Sequence, residues 1–242
     1  MENQKVRLLA SGMDFQGVTF KDSKLESAEL INCNLMSTVF KQCGLSNAIL
    51  RESNLHDTDM SGCVLKGANL TDAILTDSFL CKADFTGAVL DDADLTGAVM
   101  DDAVFENASM RNTILSRVDL SGLNLRGADL TGADLSSCDL TGADLTGAKL
   151  DNANLISADL TQVIVDNASF KAAIMLMANI NDVDMSAIDF SGADFKSADL
   201  IDVNLSGANL TNTDFNEAIL TNVDTRGADL TGVCKNSVLR DY

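Results

Sequence analysis

One histidine, six cysteines and 36 acidic residues are the chemistry-bearing groups of this 242-residue chain. His56 could serve as a general base or a metal ligand, but either role needs an orienting or nucleophilic partner at a fixed distance, and no such partner recurs beside it. It directly follows Leu55 and is expected to face solvent. Cys33, Cys43, Cys63, Cys81, Cys138 and Cys234 lack the paired short spacings of zinc sites and read as reduced thiols. The aspartates recur too regularly to be a pair of catalytic acids. The glycines share that regularity and do not form a phosphate loop between a strand and a helix. No catalytic residue, cofactor site or metal site is therefore expected, and the chain reads as non-enzymatic.

The regularity itself has to be explained. Every fifth residue from Phe15 to Leu230 is Leu, Phe, Met, Ile or Val, except Thr225, with no break in phase. The residue two places earlier is small or compact, as at Ala68, Ala73, Ser78 and Ala83, and the residue just before is most often Asp or Asn, as at Asp129, Asp134, Asp139 and Asp144. A period of five matches neither the helical repeat nor the alternation of a long strand. Of the 16 glycines, all but Gly44 fall two places after the large apolar residue. Asp and Asn fill many of the remaining slots there, as at Asp72, Asp77, Asn107 and Asn152. These residue types tolerate the positive φ that the third residue of a type II turn requires. The chain is expected to make a short extended step, turn, and repeat, with Asx side chains bonding to nearby backbone N–H groups.

The pattern A(D/N)LxG, sustained from Met13 to Gly232, closely resembles the pentapeptide-repeat proteins. The resemblance implies an all-β fold, a right-handed quadrilateral parallel β-helix with four pentapeptides per coil and with the large apolar and small residues pointing inwards. Side chains stacked on one face should then lie 20 residues apart. Nine of the 10 phenylalanines occupy the central slot, and eight of them form four such pairs: Phe20/Phe40, Phe85/Phe105, Phe170/Phe190 and Phe195/Phe215. About 11 coils at ~4.8 Å between strands predict a rod ~50 Å long. Residues 13–232 form the β-helix in this reading, with 1–12 and 233–242 as caps for the otherwise unpaired end coils. Cys43 and Cys63 should stack in adjacent coils, either as buried thiols or as a disulfide.

What remains is the surface. Net charge −19, from 17 basic and 36 acidic residues, opposes direct binding to nucleic acid and to anionic membranes. The expected partner is a protein, with one bearing a basic groove as an option. The first 12 residues hold no apolar signal core, and no stretch reaches the run of about 18 apolar residues that crosses a bilayer, so a cytoplasmic location is expected. Two surfaces stand out: an apolar one of Ile156, Ile174, Leu176 and Met177, and an acidic one of Asp91, Asp92, Asp101, Asp102 and Asp202. The leading functional reading is an acidic interaction module. The resemblance implies an alternative, because members conferring quinolone resistance are similar to duplex DNA in width and charge and bind DNA gyrase: a DNA-mimicking gyrase or topoisomerase binder. The unbroken frame leaves no projecting loop, and the short tail favours either a monomer or a homodimer through an end coil near Val233, Val238 and Leu239.

Overall fold

A computed structural model describes residues 8–234. Most of both expected caps, including Val238 and Leu239, lies outside the described residues. The chain divides into two compact units, Met1–Ser109 and Met110–Tyr242. Both are built from the same five-residue step, and the described residues contain no helix.

The step Ala83–Asp84–Phe85–Thr86–Gly87 shows why five residues suffice. Phe85 N–H donates to Val104 O at 2.8 Å and Gly87 N–H to Glu106 O at 2.9 Å, one coil ahead, while Asp84 N–H donates to Cys63 O at 2.9 Å, one coil behind. Ala83 N–H closes the preceding turn onto Leu80 O at 2.9 Å. The fifth donor, Thr86 N–H, meets the Asp84 carboxylate Oδ1 at 3.0 Å. All five backbone donors of the step are thus paired, as buried peptide groups demand. That leaves no position where a residue without an N–H costs nothing, in accord with a chain of 0 prolines.

The turn itself needs a residue with positive φ in its third place. Gly87 supplies φ 64°, and in the same slot Asp92 and Asn107 adopt φ 59° and 56°. At Gly67, φ 63° coincides with a close approach, since a Cβ there would lie 2.8 Å from Asn47 Oδ1. Parallel bridges link residues 20 apart, from Leu9↔Glu29 to Val89↔Ser109 in the first unit and from Ile114↔Asp134 to Asp214↔Cys234 in the second. One turn every five residues and a partner at 20 make four sides per coil. Most sides are too short for more than a single bridge. Only β1 (Asn179–Asp184), β2 (Asp199–Asn204) and β3 (Ile219–Thr221) extend further, pairing in parallel in that order with Asn179 opposite Asp199 and Leu200 opposite Leu220.

The inward slots form the core. Leu65, Leu70, Ala68 and Ala83 are fully buried, and each large side chain removed from water contributes about 1.5–3 kcal/mol. The four expected phenylalanine pairs all stack, with ring centroids 5.2, 4.9, 5.2 and 4.7 Å apart. Polar residues in the small slot follow one rule: the side chain donates to the carbonyl 23 residues earlier. Thr38 reaches Phe15 O at 3.0 Å, Cys43 reaches Phe20 O at 2.7 Å and Cys63 reaches Phe40 O at 2.8 Å. Cys43 and Cys63 are accordingly free thiols, not a disulfide. Thr225, the one break in the central slot, sits half-buried in the last described coil, where Leu230 is also 36% exposed.

Candidate interaction surface

Three positions of each step face outwards, and the fold constrains two of them. The slot before the large residue carries the Asx that holds the otherwise unpartnered N–H, a bond that recurs from Asp14 to Asp229. The corner slot must accept positive φ. Most of the aspartates are therefore explained by backbone geometry.

The same rule sets their charge state. Burial pushes the Asp84 carboxyl up, but hydrogen bonds from Thr86 and Lys66 outweigh it and hold the group below its ordinary range. Asp129, Asp144, Asp159 and Asp189 are lowered against burial in the same way, each by hydrogen bonds from the residue two places on. Cations join the pattern 18 residues earlier, as in Lys66–Asp84 at 3.0 Å, Arg126–Asp144 at 2.9 Å and Lys196–Asp214 at 3.0 Å. Such exposed pairs add little stability, but they neutralise part of the acidic surface. In the column Asp119↔Asp139↔Asp159 the positions 18 before Asp139 and Asp159 are Ser121 and Thr141, so these acids stack in register without that cation.

His56 is only half exposed. Its Nδ1 lies 2.8 Å from Thr76 Oγ1 and 3.0 Å from Thr76 O, a contact between successive coils. Asp77 is 3.7 Å away, and no nucleophile joins the group. Among the described residues no three His, Cys, Asp or Glu side chains gather as metal ligands, and no helix is long and apolar enough to cross a membrane.

The apolar candidates do come together. Leu155 N–H donates to Ile174 O at 2.7 Å and Ser157 N–H to Leu176 O at 2.8 Å, which sets Ile156 and Leu176 one above the other at a corner. Both are half-buried, while Ile174 is 39% and Met177 56% exposed. Met177 holds φ 53° in a slot that elsewhere takes Gly or Asx, a conformation disfavoured for a long side chain. The acidic candidates are more scattered. Asp92 and Asp102 occupy exposed corners of the first unit at φ 59°, and Asp202 a corner of the second at φ 57°. Asp91 is half-buried and accepts a 2.6 Å bond from Ser109 Oγ, and Asp101 accepts a 3.5 Å contact from the Cys81 thiol.

The sequence reading missed a second apolar surface. The tenth phenylalanine, Phe79, stands in the Asx slot and is 46% exposed, and Val99, its bridge partner in the next coil, is 41% exposed. The signal was available: Phe79 alone among the phenylalanines lies outside the central frame.

The family model for pentapeptide repeats matches residues 37–136 and 138–234. The chain belongs to the pentapeptide-repeat family. Its fold is that family's right-handed quadrilateral β-helix, and pentapeptide-repeat proteins serve in general as structural or interaction modules. No curated protein sequence gives a significant match. Among solved structures, HetL, a pentapeptide-repeat protein involved in heterocyst differentiation regulation from the cyanobacterium Nostoc sp. strain PCC 7120, is 27% identical over 93% of this chain and 86% of its own, with a TM-score of 0.43. Full-length QnrB1, a plasmid-mediated fluoroquinolone resistance protein, is 18% identical over 94% of each chain, with a TM-score of 0.33. A pentapeptide-repeat protein from the Arabidopsis thaliana thylakoid lumen is 30% identical over 48% of this chain and 71% of its own, with a TM-score of 0.24. These scores are too low to equate individual residues of the pentapeptide-repeat chains.

Proposed function

We propose that this pentapeptide-repeat protein is a non-enzymatic interaction module that binds a protein partner through its outward slots. One observation carries the reading. Inward and turn positions are fully occupied by structural roles, whereas Ile156, Ile174, Leu176 and Met177 place large apolar side chains together on the outside, where the fold asks for none. The test compares proteins captured by the wild-type chain and by Ile156→Asn/Leu176→Asn at matched thermal midpoints. A partner lost specifically with the variant supports the reading, and identical capture removes this surface from it.

A second reading rests on charge. The carboxylate column Asp119, Asp139 and Asp159, with net charge −19, supports a DNA-mimicking binder of gyrase or topoisomerase that competes for a basic groove. Supercoiling by DNA gyrase would then be inhibited by the wild-type protein and not by Asp92→Lys/Asp102→Lys/Asp202→Lys. No inhibition at tens of micromolar would end this reading. A cytoplasmic location accompanies both readings.

A further inference from the structure

We infer that the face bearing Phe79 and Val99 is a docking surface for a basic, apolar protein segment, one carrying an aliphatic or aromatic side chain between Lys or Arg residues. The inference rests on the interaction-module reading and names the partner's chemistry.

Phe79 and Val99 are bridge partners in successive coils, so their side chains lie side by side on one face. Neither supplies the Oδ1 that Asx residues in this slot give to the N–H two places on. A hydrogen bond available to most steps is given up here in favour of exposed apolar area. Nearby, Ile74 on the preceding face is 45% exposed and Val64 on the following face 40%. The departures thus gather in one part of the first unit.

Charge selects the occupant. Asp59 lies on the same face in the coil before Phe79. Asp57 and Asp77 hold the corner on one side at φ 56° each, and Asp101 and Asp102 the exposed corner on the other, with Asp102 at φ 59°. Lys82 is the one cation among these corner positions. A second copy of the chain would bring the same acidic rim and be repelled, and an anionic lipid or nucleic acid would be repelled likewise. A segment whose cations meet the rim while an apolar side chain covers Phe79 satisfies both features.

The test uses the full chain and two labelled peptides of equal positive charge, one with Phe and Leu between its lysines and one with Gly in their place. Wild type should bind the first about tenfold more tightly than the second. Phe79→Asn/Val99→Asn leaves net charge unchanged and restores the Asx acceptor, so its thermal midpoint should hold or rise while the preference between peptides disappears. Asp101→Asn/Asp102→Asn should weaken both peptides and flatten the salt dependence. Equal binding of the two peptides by wild type, or a preference that survives in Phe79→Asn/Val99→Asn, would overturn the proposal. So would a lowered midpoint with the preference intact, which would make the pair a packing device only. Amide shifts on adding the apolar peptide provide a readout without mutation: they should centre on Cys81, Asp101 and Asp102, and shifts confined elsewhere count against the site. Failure here leaves the general reading to stand on capture through Ile156 and Leu176.

Discussion

The rings of Phe85 and Phe105 lie parallel in successive coils, centroids 4.9 Å apart and planes within 4°. Both are fully buried. Phe85→Ala should cost about 3–5 kcal/mol through lost burial and an unfilled cavity. In a double-mutant cycle with Phe105→Ala the pair should show a coupling of about 0.5–1.5 kcal/mol. Urea unfolding of the four proteins measures both quantities.

Ser78 breaks the donor rule of the small slot. Its Oγ is buried without a partner, because Leu55 O, the carbonyl 23 residues earlier, already accepts Thr58 Oγ1 at 2.7 Å and Thr58 N–H at 3.3 Å. Ser78→Ala should therefore be neutral or stabilise by about 1 kcal/mol. Ser53 is the opposite case: its hydroxyl donates to Leu30 O and accepts from Cys33 N–H at 3.0 Å. Ser53→Ala should cost about 1–3 kcal/mol by leaving buried groups unpaired. Thermal unfolding distinguishes the two changes by sign.

Acid should remove the contribution of the Asx carboxylates. Asp84, held below its ordinary value of 3.8, contributes stability that is fully present above that pH and is lost as pH falls through the folded value. Asp84→Asn keeps an acceptor for Thr86 N–H but cannot titrate. It should cost less than about 1 kcal/mol at pH 7, and its stability curve should converge on wild type below pH ~4. A constant difference down to pH ~2 would contradict the linkage.

Thiol reactivity should follow burial. Burial, above all, pushes the Cys63 and Cys138 thiols up to about 12, and their protons are engaged by Phe40 O and Leu115 O. A maleimide applied to the native protein at pH 8 should label exposed Cys234 first and leave Cys63 and Cys138 untouched until denaturant is added. Rapid labelling of Cys63 in the folded state would show that the column opens locally.

The period of five made most of this fold legible before any coordinates. Slot identity followed from residue type, and the 20-residue spacing of Phe20/Phe40 or Phe195/Phe215 gave the number of sides. Residues whose partners lie in other coils were harder to read. His56 looked like a solvent-facing residue because its contact, Thr76, is remote in sequence and reveals nothing by type. The aspartates were correctly attached to backbone N–H groups, but only the bond from Asp84 to Thr86 shows that they complete the donor set of each step. Phe79 and Val99 escaped notice because an apolar residue in a tolerant outer slot looks like drift until its neighbour one coil away is seen to match.

The five-donor closure of each step fixes how such a chain can change length. Adding or removing five residues keeps every hydrogen-bonding role intact, yet it rotates all later outward side chains by a quarter turn and separates pairs such as Phe79 and Val99. Twenty residues restore the alignment. An intact surface therefore passes through duplication only in whole-coil units, so the unit that preserves folding is a quarter of the unit that preserves recognition.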